Sequence, residues 1–293
     1  MRVVLVGEAM LELSQDGESW QLAYGGDTLN TAIHLARTGV DTAYLTALGT
    51  DPFSADLKRR WAAEGLDTSL VLAEPLRNPG LYAITCDAAG ERSFTYWRND
   101  SAARQVFACE GIDDALASAA QADLLAFSLV SLAVLPPDSR DALLALARKV
   151  RERGGQVAFD GNYRPRLWPD AATARTSRDA AIALATIGLP TLEDEVLLGS
   201  ANNPAAVAAH WQGLGCAETV VKLGADGCRL PDGRIIAPES MLAPVDTSGA
   251  GDAFNAGYLA ARLTGAALEQ AARGGHALAG WTIMRRGAIP ARE

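Results

Sequence analysis

The chain has 293 residues, of which 49% are apolar and 21% are charged, and its formal net charge at pH 7 is -9. A chain of this size and composition buries enough apolar surface to fold without disulfides or bound metals. Its negative charge opposes binding to phosphate backbones and anionic membranes, so we expect neither a nucleic-acid partner nor a membrane partner.

Short runs of β-branched and apolar residues alternate with helical patterns along most of the chain. The helical patterns include one that Asp27 caps and Gly39 ends, Ser54–Glu64, and one from Pro136 to Arg153. The runs that predict buried strands are Val3–Val6, Thr42–Leu48, Asp123–Leu129, Gln156–Phe159, Thr186–Leu189 and Glu218–Lys222. This order predicts an α/β fold in which helices flank both faces of a mainly parallel central sheet.

One segment departs from this alternation. Gly80–Asp87 and Arg92–Asn99 alternate in polarity like strands, and residues 88–91 between them predict a hairpin. Tyr96 and Arg98 lie two residues apart and therefore point to the same face. A hairpin that stands apart from the main sheet is a candidate lid.

The absence of several motifs disfavours common chemistries. The three lysines lie outside any phosphate-loop pattern, and no G-x-G-x-x-G, H-E-x-x-H or G-x-S-x-G run occurs. The four cysteines form no C-x-x-C pair and the three histidines lie far apart, so we expect no structural zinc site. The cysteines are sparse, which is typical of a reducing cytoplasm. The opening apolar run meets Glu8 too soon to form a signal peptide, so we expect a cytoplasmic location.

The most informative run is Asp246-Thr247-Ser248-Gly249-Ala250-Gly251-Asp252, which directly precedes a helical pattern. Small residues before a helix leave its first backbone N–H groups unpaired, and these groups bind anions together with the helix dipole. Asp252 in the first turn has two interpretations. It either complements the helix dipole or acts as a base beside an anion-binding site.

This run resembles the second motif of the ribokinase-like sugar kinases, the PfkB family. Gly25-Gly26-Asp27-Thr28-Leu29-Asn30 resembles the first motif of that family, and Lys222-Leu223-Gly224-Ala225-Asp226-Gly227 resembles its nucleotide-binding segment. The resemblance covers nearly the whole chain. It implies one ribokinase-like domain over residues 1–293, into which the strands of a small β lid are inserted at approximately 11–26 and 74–100.

The resemblance also implies roles for individual residues. Asp252 would take the proton from the attacking hydroxyl, while Gly249, Ala250 and Gly251 would present N–H donors to the phosphoryl group. Besides Gly249 and Gly251, the residues implied to bind ATP are Asn162, Lys222, Gly224, Asp226 and Gly227. Mg²⁺ is expected to bridge the phosphates and to be held mainly through water. A K⁺ ion near Asp246 and the loop 286–288, as in some relatives, is left open.

Several features resemble the sugar-acid branch of this family, the 2-keto-3-deoxygluconate kinases. By analogy, the residues that contact the sugar are Gly26, Asn30, Tyr82, Tyr96, Arg98, Arg164 and Asp252. Two arginines match a carboxylate, because the planar guanidinium forms charge-assisted hydrogen bonds with it. Arg166 is an alternative to Arg164 for this contact. The expected reaction is ATP-dependent phosphorylation of the 6-hydroxyl of 2-keto-3-deoxygluconate.

Two alternative functions stay open at this point. One is a fructokinase-like or ribokinase-like kinase of a neutral sugar, and the other is a sugar sensor without catalytic activity on the same fold. The lid hairpin could also join two copies of the chain in a homo-oligomer.

The chain departs from the family at the Asn-x-x-Glu element linked to Mg²⁺. The corresponding stretch, Pro190-Thr191-Leu192-Glu193-Asp194-Glu195, lacks the asparagine. Glu193 is chosen as the metal-linked acid, with Glu195 as the alternative.

Overall fold

The computed structural model describes residues 1–86, 92–199 and 201–292. In chain order its strands are β1 (Arg2–Val6), β2 (Met10–Asp16), β3 (Ser19–Gly25), β4 (Asp41–Leu48), β5 (Val71–Ala73), β6 (Gly80–Cys86), β7 (Arg92–Trp97), β8 (Leu124–Ser128), β9 (Gln156–Asp160), β10 (Ile187–Gly188), β11 (Glu218–Thr219), β12 (Val221–Lys222), β13 (Cys228–Arg229) and β14 (Ile235–Ile236).

The α-helices are α1 (Asp27–Arg37), α2 (Pro52–Ala63), α3 (Ile112–Ala119), α4 (Leu129–Val134), α5 (Pro137–Glu152), α6 (Ala171–Ile182), α7 (Leu192–Leu197), α8 (Pro204–Gly213), α9 (Ala250–Leu263) and α10 (Leu268–Ile283). Short 3₁₀ helices span Ala102–Ala108, Pro165–Leu167 and Gly224–Asp226. Among the helices of the described residues, none combines the length and the apolar character that crossing a membrane requires.

A seven-stranded sheet in the order β11-β10-β9-β8-β1-β4-β5 forms the centre of the molecule, and its strands pair in parallel. Alternate residues of β1 face opposite sides, because successive side chains of a strand point in opposite directions. Val3 and Leu5 pack with α1, α2, α9 and α10, whereas Val4 and Val6 pack with α5, α6 and α8. The predicted parallel sheet with helices on both faces is confirmed.

A separate four-stranded sheet in the order β3-β2-β6-β7 contains the predicted hairpin. The predicted turn at 88–91 and the end of its first strand at Asp87 lie outside the described residues. Register places Glu12, Tyr82 and Tyr96 side by side on one face of this sheet. Trp20, Leu22 and Trp97 lie on the opposite face by the same alternation. We call this sheet the lid sheet.

Two local predictions are wrong. The strand predicted over Glu218–Lys222 is divided, because β11 joins the central sheet whereas β12 pairs with β13 in a small three-stranded sheet. Asp27 does not cap α1 but is its first residue, and the N-cap position is Gly26. The Asp27 side chain is therefore available for a contact within the site.

Candidate active site

The candidate site lies at the carboxyl edge of the central sheet, where α9 begins. In open α/β sheets this edge is the usual place for ligands. Gly249 immediately precedes α9 with a φ of 70°, a left-handed conformation that favours glycine. A Cβ atom at Gly249 would lie 2.6 Å from the side chain of Ala288, so only glycine fits this contact. Ala250 and Gly251 are the first two residues of α9, and this helix start is the predicted anion-binding feature.

Asp252 lies in the first turn of α9, as the sequence predicts, and two residues of α1 contact it. Asn30 Nδ2 donates a hydrogen bond of 2.8 Å to Asp252 Oδ2, and Thr31 Oγ1 donates one of 3.2 Å to the Asp252 carbonyl oxygen. Burial, reinforced by the nearby Asp27 carboxylate, raises the pKa of Asp252 to about 8. A carboxyl group with such a pKa can hold a proton near neutral pH.

Asn30 offers a second polar atom to the site. Its Oδ1 atom is buried and has no hydrogen-bond partner among the residues that the structure describes. Because buried polar atoms are nearly always paired in folded proteins, an atom of this kind indicates a place for a ligand hydroxyl. Gly26, at the N-cap of α1, lies directly against the backbone of Glu8 and leaves no space there for a side chain.

Asp27 and Asn162 form a contact that the sequence analysis missed. Asn162 Nδ2 donates a hydrogen bond of 2.8 Å to Asp27 Oδ2, which joins α1 to the loop after β9. Asn162, expected to bind ATP, thus lies beside the carboxylate that raises the pKa of Asp252. The signal for Asp27 was its place in the first motif, where we had assigned it only a capping role.

Lys222 belongs to a buried cluster of polar side chains that is electrostatically coupled to Asp252. Lys222 Nζ donates hydrogen bonds of 3.1 Å to both Asp160 Oδ1 and Asn255 Oδ1. Asn255 Nδ2 donates one of 2.7 Å to Asp160 Oδ2, which closes the triangle. A Cβ atom at Gly251 would lie 3.7 Å from Lys222 Nζ, so the ammonium group is next to the start of α9. The triangle places a buried positive charge beside the anion-binding feature.

Asn255 was also missed by the sequence analysis. It lies three residues after Asp252 on α9, a spacing that puts both side chains on one face of a helix. This spacing was visible in the sequence and could have identified Asn255.

The other predicted ATP residues lie in a turn after β12. Gly224 and Asp226 belong to the 3₁₀ helix Gly224–Asp226 and are exposed. Gly227 ends this turn and lies against the backbone of Ile236. The turn therefore follows Lys222 closely in the chain.

Two tyrosines of the lid sheet face the site. Tyr82 donates a hydrogen bond to Glu12 Oε2, and its ring centroid lies 5.8 Å from that of Tyr96. A Cβ atom at Gly25 would lie 2.6 Å from the Tyr82 hydroxyl, so glycine at this position allows Tyr82 to approach the first motif. Burial and the Glu12 carboxylate raise the pKa of Tyr82, which keeps its hydroxyl protonated.

The two predicted arginines have different surroundings. The Arg98 side chain is only 10% exposed and forms an ion pair with the buried carboxylate of Glu8. Arg164 is 54% exposed and its Nη1 lies 3.1 Å from Asp194 Oδ1. Arg166, the alternative to Arg164, is exposed on the short 3₁₀ helix Pro165–Leu167. The structure thus brings Arg98 against the core, whereas Arg164 lies beside α7.

The three acidic residues of α7 have different surroundings. Glu193, chosen as the metal-linked acid, is exposed on α7. Glu195, the alternative, is buried, and it accepts hydrogen bonds of 2.6 Å from Arg178 and 3.0 Å from Trp211. Asp194 instead interacts electrostatically with Asp160 and Lys222, and burial raises its pKa. Glu193 therefore stays a prediction, while Asp194 is the acid of α7 that is electrostatically coupled to Asp160 and Lys222.

The loop near the carboxyl end of the chain is attached to α1 and to the second motif. Asp246 accepts backbone hydrogen bonds of 2.9 Å from Ser248 and from Gly287. His34 forms a hydrogen bond of 2.9 Å with the carbonyl oxygen of Ala288, and burial lowers the pKa of His34 to about 4. These contacts hold the loop against Gly249.

Within the described part of the chain, no group of three or more His, Cys, Asp and Glu side chains is arranged to hold a metal ion.

Comparisons with known proteins agree over the full length. The sequence profile described as "pfkB family carbohydrate kinase" matches residues 2–293. The chain is 42% identical to the 2-dehydro-3-deoxygluconokinase of Escherichia coli (strain K12), over 100% of this chain and 98% of that protein. It is 41% identical to the protein of the same name from Dickeya dadantii (strain 3937), over 98% and 96% of the two chains. The crystal structure of a PfkB protein from Polaromonas sp. JS666 superposes with a TM-score of 0.86 at 28% identity, and covers 96% of this chain and 95% of that chain.

Proposed function

Because the chain belongs to the pfkB family of carbohydrate kinases, we propose that it transfers the terminal phosphoryl group of ATP to the 6-hydroxyl of 2-keto-3-deoxygluconate. It is a kinase that acts on a sugar hydroxyl, and its near-full-length similarity to two 2-dehydro-3-deoxygluconokinases favours a sugar acid over a neutral sugar. The observation that carries the mechanism is the position of Asp252 at the start of α9, hydrogen-bonded by Asn30.

Asp252 serves as the general base in this proposal. Phosphoryl transfer requires an acceptor for the proton of the attacking hydroxyl and donors for the charge on the moving group. The Asp252 carboxylate supplies the acceptor, and Asn30 holds it in one orientation. The N–H groups of Gly249, Ala250 and Gly251 supply donors at the positive end of the helix dipole. The unpaired Asn30 Oδ1 is available to a sugar hydroxyl.

Lys222 provides the fixed positive charge for the ATP phosphates. Its ammonium group is held by Asp160 and Asn255 at the start of α9, so no reorganisation is needed when charge develops. We assign the turn that contains Gly224, Asp226 and Gly227 to the nucleotide, as the resemblance implies. Asn162, also assigned to ATP by resemblance, is hydrogen-bonded to Asp27.

Asp194 is the acid that we assign to Mg²⁺. Carboxylate oxygens are the ligands that Mg²⁺ prefers, and it usually keeps several waters and phosphate oxygens. The donors at this place, Asp194 and Asp160 beside Lys222, fit an ion held in that way. Bound there, Mg²⁺ would reduce the repulsion between these carboxylates and the phosphates. A K⁺ ion near Asp246 stays a prediction from the resemblance.

Arg98 is the residue that we assign to the substrate carboxylate. Its guanidinium is nine-tenths buried at the base of the lid sheet, where it is shielded from water. Arg164 contributes from the side of α7, and its ion pair with Asp194 links the sugar side of the site to the nucleotide side. Tyr82 and Tyr96 cover the sugar from the lid.

The outer face of the lid sheet is proposed to contact a second copy of the chain. Trp20, Leu22 and Trp97 on this face are 48%, 40% and 57% exposed. Clusters of exposed large apolar side chains mark interaction surfaces. Light scattering of the wild type and of a Trp97→Glu variant tests this, and a monomeric wild type would contradict it.

A coupled assay of ADP release across sugar acids and neutral sugars tests the function. We expect turnover with 2-keto-3-deoxygluconate and much weaker turnover with fructose or ribose at equal concentrations. Preference for a neutral sugar would contradict the proposal. Binding of the sugar acid by calorimetry without ADP formation in the presence of ATP and Mg²⁺ would instead support a sensor.

A further inference from the structure

Glu8 is a buried acid that no step described above uses. It follows β1, and its side chain is 1% exposed. It forms an ion pair with Arg98 and accepts a hydrogen bond from Ser101 Oγ. Burying a carboxylate is costly unless it is paired, and Arg98 and Ser101 are the groups that pair with Glu8.

The surroundings of Glu8 hold its carboxylate in one place. A Cβ atom at Gly80 would lie 3.0 Å from Glu8 Oε1 and 3.3 Å from the Cβ atom of Arg98, so the first residue of β6 leaves room for the ion pair. Gly26, at the start of α1, lies against the Glu8 backbone. Glu8 therefore connects the central sheet, the first motif and the base of the lid sheet.

Glu8 engages only part of the Arg98 guanidinium. Arg98 Nη2 lies in ion-pair contact with Glu8 Oε2, and neither Glu8 Oε2 nor Arg98 Nε has a hydrogen-bond partner among the residues that the structure describes. The guanidinium is planar, so fixing one nitrogen by an ion pair restricts the directions of the others. A buried N–H group of a charged side chain without a partner indicates a ligand that accepts a hydrogen bond.

We propose that Glu8 is a positioning residue that orients Arg98 toward the carboxylate of the sugar acid and so sets the preference for an acidic substrate. The inference rests on the proposed function, because it takes Arg98 as the residue that binds this carboxylate. Without Glu8, the flexible Arg98 side chain has other rotamers available and no longer presents its free N–H at one place.

The Glu8→Gln variant tests this inference, because it keeps the shape of the side chain and removes its charge. We expect KM for 2-keto-3-deoxygluconate to rise about 10-fold or more, as for the loss of one oriented charge-assisted contact. We expect kcat and KM for ATP to change less than about 2-fold. Calorimetric titration with the sugar acid in the absence of ATP should show the same weakening. An unchanged or tighter affinity of Glu8→Gln for the sugar acid would overturn the proposal.

A double-mutant cycle with Arg98→Met separates positioning from a general effect on the fold. If Glu8 acts through Arg98, Glu8→Gln should have no further effect on sugar-acid binding in the Arg98→Met background. A full additional loss in that background would refute the inference. Arg77→Met is the matched control, since Arg77 pairs with Asp100 near the same hairpin, and it should leave sugar-acid affinity unchanged.

Two further measurements keep the test decisive. If Glu8→Gln does not fold, Ser101→Ala removes the hydrogen bond to Glu8 without a change of charge, and it should raise KM for the sugar acid by about 2- to 5-fold. No change in this variant would count against the proposal. The wild type is assayed with fructose in parallel. Preference of the wild type for fructose would contradict the proposed function. If the wild type prefers the sugar acid and only the Glu8 variant loses its preference for the sugar acid over fructose, the result supports the positioning role of Glu8.

Discussion

The side-chain amide of Asn30 donates a hydrogen bond of 2.8 Å to the carboxylate of Asp252, across 222 positions of the sequence. This bond joins α1 to α9 and brings the first motif against the second. Since Asn30 also has an unpaired Oδ1, one side chain can contact both the base and the substrate hydroxyls. In the proposed mechanism, this single residue places the base and the sugar relative to each other.

Asp252→Asn tests the base directly. The substitution preserves the size of the side chain and the start of α9 but removes the proton acceptor. We expect kcat to fall by about 10²–10⁴, the usual effect of a positioned general base. ATP affinity, measured by calorimetry, should change little. A variant that retains more than about a tenth of the wild-type kcat would show that another group accepts the proton.

The raised pKa of Asp252 predicts a specific dependence of activity on pH. Asp252 is competent as a base only when deprotonated, and its pKa in the free protein is about 8. The pH profile of kcat/KM for the sugar reports the free enzyme, so kcat/KM should rise from pH 6, reach half of its limiting value near about pH 8 and level off above about pH 9. A profile that is flat between pH 6 and pH 9 would contradict this.

Asn30→Ala provides the control for the pH profile. The hydrogen bond from Asn30 lowers the pKa of Asp252 against the opposing effect of burial. Removing this bond should therefore displace the rise of kcat/KM toward higher pH, in addition to weakening sugar binding. A loss of activity without displacement of the profile would assign Asn30 to the sugar alone.

The two neighbouring acids Asp194 and Glu193 should differ in their effect on Mg²⁺ dependence. Asp194 interacts with Lys222 and Asp160, whereas Glu193 is exposed. Asp194→Asn should raise the Mg²⁺ concentration needed for half-maximal activity by about 10-fold, as expected for loss of a charged contact. Glu193→Gln, as the matched control, should leave it unchanged. The opposite ranking would support Glu193 as the metal-linked acid and contradict Asp194.

The fold was largely predictable from the sequence because it depends on local patterns. The strands β1, β4, β8 and β9 fall within one residue of their predicted bounds, since continuous apolar runs between helices are typical of parallel sheets. The start of α9 was predictable for a similar reason, because a run of small residues directly before a helical apolar pattern indicates where a helix begins.

The side-chain pairing within the site was less predictable. Successive residues on an α-helix are rotated by about 100°, so the choice between Glu193 and Asp194 depends on where α7 begins and how it is turned. The pairing of Arg98 with Glu8 and of Arg164 with Asp194 joins segments that are distant in sequence. Such contacts depend on packing, which no local pattern records.

Glu195 should be essential for stability and not for the reaction. It accepts hydrogen bonds from Arg178 and Trp211, and both partners are fully buried. Glu195→Ala leaves the Arg178 charge with less compensation, so we expect the free energy of unfolding to fall by about 3 kcal/mol or more in a denaturant titration. The Mg²⁺ dependence of the remaining folded enzyme should be unchanged. A change in Mg²⁺ dependence without loss of stability would assign Glu195 to the metal instead.

The lid sheet should respond to the sugar rather than to ATP. Tyr96 is 47% exposed and faces the site beside Tyr82, so a bound sugar can cover the surface that is now accessible. A lid that closes also excludes water, which limits hydrolysis of ATP. We expect amide hydrogen exchange in residues 80–86 and 92–99 to slow when 2-keto-3-deoxygluconate binds and to change less with ATP alone. Residues 246–252 serve as the internal control and should respond to nucleotide. Exchange in the lid that is unaffected by saturating sugar acid, while this control responds, would assign the lid sheet a static role.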